Sequence, residues 1–407
     1  MKKILNNRIS HLLFLCMVLI ITTLISCNND DSSNGAPVIT GVINYAAAPN
    51  DTIVDKLVPG QWVVIKGSNL KDAVKIAFNG IAVDFNGGLF SDTYAVVQLP
   101  AVIPFPLIAE NQLNTIEVVN QNGSTTFSID IVAGEPTLAG ISNENPVEGE
   151  EVTIYGTNLF LIEEVVFGGI PITDYIVSDD GTTISFVVSD VTSAGPLKIT
   201  TGSGVILTPF NVNDVTTGIL SNADDIFNWP YWGGANIVNN TNLTDFEGNN
   251  SNFFLLNLNN VGSGGGSEWD MAVRINEAQW IPTEDLSDPV ANWALKFEIN
   301  VPVFWSGGTI MIKTSNGNFM ARYEPWLISS TKSFKTTGWQ TVTIPLTKFL
   351  DGGDGKGALA SNISAIVGSE GKSECIMYFH NYGTSEISFR AAFDNIRVVK
   401  IIDASID

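Results

Sequence analysis

The sequence predicts an all-β protein: two tandem sandwiches of one kind, then a larger sandwich of jelly-roll type. Three observations carry this. Past residue 27 no stretch repeats apolar residues at helical spacing. The apolar runs are short and rich in Val, Ile, Thr and Phe, as in Trp62-Val63-Val64-Ile65 and Thr341-Val342-Thr343-Ile344, with Gly, Asn, Asp and Pro between them; such runs read as strands. The first half of the chain contains two copies of one pattern, and eight of the nine tryptophans fall after residue 213.

The chain opens MKKILNNRISHLLFLCMVLIITTLISC. Lys2, Lys3 and Arg8 form a basic head, an apolar run follows from Leu12 to Ile21, and Leu24-Ile25-Ser26-Cys27 closes it. This is the three-part layout of a secretory signal, and the run is shorter than the ~20 residues that span a bilayer. Its last four residues resemble a bacterial lipobox. That resemblance implies that residues 1–26 are removed and that Cys27 becomes the acylated first residue, anchored at about 0.8 kcal/mol per buried CH₂. Residues 27–35 continue as Asn28-Asn29-Asp30-Asp31-Ser32-Ser33-Asn34-Gly35, with no apolar group to bury, so they read as a flexible tether. Asp30 and Asp31 resemble the acidic export signal of Bacteroidetes lipoproteins, which implies the outward face of the outer membrane.

Composition excludes several functions. The formal net charge is −22, from 42 acidic and 20 basic residues, which argues against nucleic acid or another polyanion as partner, because neutralising phosphates needs a basic patch. A neutral ligand is compatible with that charge. His11 and Cys16 lie in the leader, leaving His380, Cys27 and Cys375. That is too few Cys/His ligands for a structural zinc site and too few cysteines for a disulfide scaffold. Cys375 and His380 are five residues apart on one strand-like run, which places their side chains on opposite faces and argues against a nucleophilic pair. Asp351-Gly352-Gly353-Asp354-Gly355 lacks the spacing and terminal Glu of a calcium loop and reads as a turn. No metal or cofactor is expected, and the chain reads as a monomer.

The repeat organises residues 36–213. Pro59-Gly60-Gln61-Trp62-Val63-Val64-Ile65-Lys66-Gly67-Ser68-Asn69-Leu70 aligns with Glu148-Gly149-Glu150-Glu151-Val152-Thr153-Ile154-Tyr155-Gly156-Thr157-Asn158-Leu159, and Phe78-Asn79-Gly80 with Phe167-Gly168-Gly169. The alternating strand turns one face inward. Gly-x-Asn-Leu then leaves the sheet through a turn, Leu70 or Leu159 plugs the end of the core, and Phe-x-Gly runs a strand into a tight turn. The pattern resembles the IPT/TIG type of immunoglobulin-like domain over residues 36–133 and 135–213, with longer loops around 45–55 and 100–110 in the first copy. By that resemblance the two domains are chiefly spacers. An alternative reading makes them the binding part, but they hold a single tryptophan, Trp62, at a strand position that reads as buried.

Residues 214–407 hold enough strand-like runs for a jelly roll. Trp339 lies in the cleanly alternating Gly-Trp-Gln-Thr-Val-Thr-Ile-Pro-Leu and reads as core, as does Trp293. Other tryptophans sit in loop-like company: Trp229-Pro230-Tyr231-Trp232-Gly233-Gly234, Trp305 before Ser306-Gly307-Gly308, Tyr323-Glu324-Pro325-Trp326, and Trp280 before Ile281-Pro282. Loops lie on surfaces, and clustered exposed aromatics mark a binding site. An indole covers the C–H face of a pyranose while side chains such as Arg322, Glu324, Asn236 and Asn318 bond its hydroxyls.

The tether, the tandem domains and the segments Arg322-Tyr323-Glu324-Pro325-Trp326 and Gly338-Trp339-Gln340-Thr341-Val342 together resemble the surface glycan-binding proteins, B type, of Bacteroidetes polysaccharide utilisation systems. Two Ig-like domains stand where some relatives have three. The resemblance implies a non-catalytic lipoprotein that captures a neutral, β-glucan-like polysaccharide for a neighbouring outer-membrane transporter. Trp326, Tyr323 and Trp305 are the first candidates for its platform, with Trp229, Trp232 and Trp280 beside them. Two other readings stay open. A glycoside hydrolase needs two carboxylates, which Glu247, Glu268, Glu298 or Glu324 could supply although no motif selects a pair. A protein-binding adhesin on Ig-like stalks is the other.

Overall fold

The computed structural model describes residues 35–191, 193–226, 235–239, 244–249, 251–269, 271–315 and 319–402. The leader, Cys27, Trp229, Trp232 and Asn318 therefore lie outside the described residues. The described residues fall into two compact units, one of residues 35–103 with 107–132 and one of residues 104–106 with those from 133 to 402.

The first unit is a sandwich. Val38–Asn44, Trp62–Ser68 and Tyr94–Gln98 make one sheet, and Ile81–Ala82, Lys75–Phe78, Thr115–Asn120 and Gly123–Ser128 make the other. Val63, Ile65, Ile76, Phe78, Ile116 and Val118 fill the space between them and have no exposed surface. Each feature of the repeat has a visible cause. A Cβ on Gly67 would lie 1.8 Å from the Val38 carbonyl oxygen on the neighbouring strand, so only glycine fits. Asn69 takes the left-handed φ of 59°, which short polar side chains tolerate, and its amide donates to Ala36 O at 2.9 Å. Leu70 then drops into the core. Asn79 and Gly80 have φ of 49° and 78° between the paired Phe78 and Ile81. Positive φ at both central residues is what a two-residue hairpin needs.

The second unit opens with the other copy. Thr137–Ile141, Glu151–Thr157, Thr183–Val187 and Ile176–Val177 form one sheet; Ile170–Pro171, Ile162–Phe167, Gly195–Thr201 and Gly204–Val212 form the other. Gly156 again faces a carbonyl, with its Cβ position 2.1 Å from Thr137 O. Asn158 has φ 55° and Leu159 is buried. The same sequence device makes the same turn twice.

The C-terminal domain is a sandwich of two antiparallel sheets. One runs Asn236–Asn239, Asn252–Val261, Ile387–Lys400, Trp293–Asn300, Gln340–Pro345, with Ile219–Ser221 also on Ile387–Lys400. The other runs Ala272–Gln279, Lys372–His380, Thr309–Lys313, Met320–Tyr323. One apolar core, including Phe254, Val273, Ile275, Phe297, Ile310, Ile312, Met377 and Phe379, lies between them. All-β architecture and sandwich type therefore agree with the sequence.

The second Ig-like copy is fixed to this domain by a buried ionic joint. Glu144 reaches across to Lys296 Nζ at 2.5 Å and Arg397 Nη2 at 2.8 Å. Arg397 also holds Glu298 through both Nη atoms at 2.9 Å. Thr341 ties the seam further: its hydroxyl donates to Glu298 at 2.9 Å and accepts from Glu144 N at 2.7 Å, and its N–H donates to Ser142 O at 2.8 Å. Lys296 Nζ also sits 3.3 Å from the centroid of the Phe210 ring. Burial lowers the Lys296 ammonium to about 8 against the pull of Glu144. Burying such charges is costly unless each is paired and hydrogen-bonded, which these are.

Candidate functional site

Strand alternation decides which side chains of the second C-terminal sheet face outward. On Lys372–His380, Cys375, Met377 and Phe379 turn into the core, so Glu374, Ile376, Tyr378 and His380 turn out. Register then assembles the outer face. Tyr378 is flanked by Ala272 on one side and Met311 on the other, with Arg322 opposite Met311. Ile376 is flanked by Arg274 and Lys313, and His380 by Thr309.

Charge on this face is paired at close range. Arg274 holds Glu374 at 2.9 Å, Lys313 holds Glu268 at 2.7 Å, and Arg322 holds Glu324 at 2.8 and 3.1 Å. Thr309 Oγ1 donates to Glu324 at 2.6 Å. Burial would raise the Glu324 carboxyl, but the Arg322 and Thr309 hydrogen bonds outweigh it and keep the group below its ordinary range. Burial pushes the Tyr378 phenol up to about 12. Arg274 Nη1 is buried with no hydrogen-bond partner.

Aromatic rings cover the paired arginines. Trp269 is 58% exposed, with the Arg274 guanidinium 4.7 Å from its centroid. Tyr382 is 49% exposed; Arg322 lies 4.6 Å from its centroid and the His380 ring 4.2 Å. Arginine stacked on a ring face gains cation–π attraction and fixes the ring's tilt. Arg274 and Arg322 stand on the two outermost strands. Three strand spacings separate these, about 14 Å, long enough for a short run of pyranose rings. At one end a shallow cleft of about 360 Å³ is lined by Gly307, Gly308, Glu324, Trp326, Tyr382 and Ser385, among others. Trp326 is half-buried there and donates its indole N–H to Gly308 O at 2.9 Å.

Several sequence expectations are corrected. Trp305 is 1% exposed. Its ring packs on Phe389 at 4.9 Å and on Tyr323 at 5.9 Å, and its indole N–H donates to Gly307 O at 2.5 Å. The glycine-rich company that suggests a surface loop instead lets the chain fold back over the end of the core. Trp280 is also 1% exposed, edge-on to Phe349 and bonded to Ser373 O at 3.2 Å. Tyr323 stands opposite the core residue Ile310 and turns inward against Phe297, where burial raises its phenol. Its neighbour Arg322 is the outward one. Asn236 opens an edge strand of the opposite sheet and lies apart from this face. Trp269, Tyr378, His380 and Tyr382 were missed. The alternation of Cys375-Ile376-Met377-Tyr378-Phe379-His380 was the available signal for two of them; nothing local marks Trp269 or Tyr382.

The C-terminal domain is thus a two-layer β-sandwich with ring-covered, charge-paired polar groups on the outside of one sheet. Comparison with known proteins narrows this. Residues 212–400 match the family model described as surface glycan-binding protein B xyloglucan binding domain. The fold is similar to the crystal structure of a surface glycan-binding protein B from Prevotella bryantii, with TM-score 0.67 and 20% identity over 90% of this chain and 99% of that one. It is also similar to a protein of the same type from a complex xyloglucan utilization locus in Bacteroides uniformis, with TM-score 0.50 and 20% identity over 90% and 100%. An IPT/TIG domain-containing protein of Bacteroides ovatus is 24% identical over 150 residues, 37% of this chain. That match spans 30% of the relative's length. The resemblance to the B-type surface glycan-binding proteins therefore holds, in the family match of the C-terminal domain and in the fold.

Proposed function

We propose that this chain is a non-catalytic cell-surface lipoprotein that holds a neutral β-linked glucan, xyloglucan or mixed-linkage glucan, on the outer face of its C-terminal sheet. The observation that carries the reading is the pairing of Trp269 and Tyr382: two exposed rings, each braced by an arginine whose charge a carboxylate already neutralises. Rings offer apolar surface to sugar C–H groups, and the arginine and carboxylate edges offer hydrogen bonds without net attraction for an anionic chain. Xyloglucan is favoured by the description of the matching family. The same pairing counts against Glu324 as the general acid of a hydrolase, because that role needs a raised carboxyl and Glu324 is held low. Cys27 anchors the chain in the outer membrane, the Ig-like domains space the site from it, and a neighbouring transporter receives the glycan.

Affinity electrophoresis in gels containing xyloglucan or mixed-linkage β-glucan tests this. Trp269→Ala combined with Tyr382→Ala should lower affinity by about tenfold or more, a loss of about 1.4 kcal/mol, because both apolar ring surfaces that would cover the sugar are removed. Unchanged retardation would reject the face. Sustained release of reducing ends by the unaltered protein would reject the non-catalytic reading.

A further inference from the structure

We propose that the first Ig-like sandwich carries a second glycan-binding site, centred on Trp62, that takes a neutral pyranose chain. Contrary to the sequence expectation, Trp62 is not buried. It opens the central strand of its sheet on the outward side, alternating with the fully buried Val63 and Ile65, and is 44% exposed. Tyr45, 56% exposed, places its ring 6.1 Å from the indole. A large ring left nearly half in water forfeits a substantial part of what an aromatic contributes to a fold by burial, and that exposed surface is open to a ligand.

The surroundings supply the polar half of a sugar site. A pocket of about 210 Å³ is lined by Trp62, Asp84, Phe85, Asn86, Leu89 and Gln98, with Val96 and Val97 at its floor. Gln98 stands directly opposite Trp62 in the sheet register, its amide held by Gly60 O at 2.9 Å. Asn86 uses Oδ1 to accept from Gly88 N at 2.9 Å, which leaves its NH₂ group for a ligand hydroxyl. Phe85 stacks on Phe90 at 5.0 Å and stiffens the loop into a wall. Asp84 and the net charge of −22 repel an anionic ligand, while a carboxylate and two amides suit hydroxyls at the rim of a ring resting on the indole. None of this is required by the sandwich itself. In the second copy Glu151 stands where Trp62 does, paired with Val187 instead of Gln98.

The inference rests on the reading that the chain binds a neutral glucan, so the test separates the two sites. Four full-length proteins are titrated calorimetrically with xyloglucan and mixed-linkage β-glucan oligosaccharides and with the parent polysaccharides: unaltered, Trp62→Ala, Trp269→Ala/Tyr382→Ala, and all three changes together. Thermal melting checks that each is folded, and Gln98→Ala repeats the test without truncating the ring. We expect two oligosaccharides bound per chain in the unaltered protein, one after Trp62→Ala, one after the double change and none after all three. Polysaccharide affinity should fall at least tenfold with Trp62→Ala, since two sites on one polymer raise avidity by about 10²–10⁴. Stoichiometry and affinity unchanged by both Trp62→Ala and Gln98→Ala would overturn the second site. Loss of all binding in the double variant would also overturn it and leave the C-terminal reading standing. Full binding by the double variant, abolished by Trp62→Ala, would support the Trp62 site and reject the C-terminal face.

Discussion

The two Ig-like copies share an interior and differ in what they do with their outward positions. Val63 and Ile65 in one, Val152 and Ile154 in the other, are all fully buried. Gly67 and Gly156 meet the same carbonyl of the neighbouring strand. Outside, the register of the first strand puts Tyr45 of the first copy in line with Glu144 of the second, since Gly41 pairs with Lys66 as Gly140 pairs with Tyr155. Tyr45 is an exposed ring beside Trp62; Glu144 is a buried carboxylate gripping Lys296 and Arg397. Interior positions are held by packing that both copies must satisfy. Outward positions are free to serve the neighbourhood of each copy, a joint in one and a display surface in the other.

The sharpest test of that contrast is at the joint. Glu144→Ala leaves Lys296 and Arg397 short of a partner inside the protein, and breaking a buried pair costs about 3–5 kcal/mol. Calorimetry should show the transition of the second copy and C-terminal domain falling while that of the first sandwich stays in place. A shift no larger than that of an exposed substitution would mean that water reaches the joint. Next in size, Leu70→Ala and Leu159→Ala should each cost about 2–5 kcal/mol, by similar amounts, because each plugs the same end of the same core. Values differing several-fold, read from denaturant unfolding, would break the equivalence of the two interiors.

The smallest effect is a pH dependence at the start of the C-terminal domain. Burial would raise the Asp214 carboxyl, but hydrogen bonds from Thr217 and Thr216 outweigh it and hold the group well below its ordinary value. The unfolded chain therefore takes up this proton first. The stabilisation is complete above the unfolded pKa of about 3.9 and is lost as pH falls through the lower folded value. Asp214→Asn should flatten the acid limb of the stability profile below about pH 4 and leave the neutral region nearly level. An unaltered acid limb would remove Asp214 from the account.

Local chemistry made much of the fold legible. Gly-x-Asn-Leu and Phe-x-Gly announce a turn, a core plug and a hairpin because left-handed φ and close backbone approach admit few residue types. Strand runs such as Trp293–Asn300 and Ile387–Lys400 show in their β-branched and aromatic content. The candidate site was less legible. Loop-like neighbours pointed to Trp305 and Trp280, yet Trp305 is covered by Phe389, more than eighty residues away, and Trp280 by Phe349. Trp62 erred the other way, reading as buried and standing exposed.

What the sequence determined by itself was the order of elements, the duplication and the abundance of aromatic rings, since each depends on residue type and short-range spacing. Which rings meet solvent, and which carboxylates lie in a seam instead of on a surface, was decided by tertiary structure alone. Exposure is a property of what distant strands bring alongside, and register fixes it only once the sheets have formed.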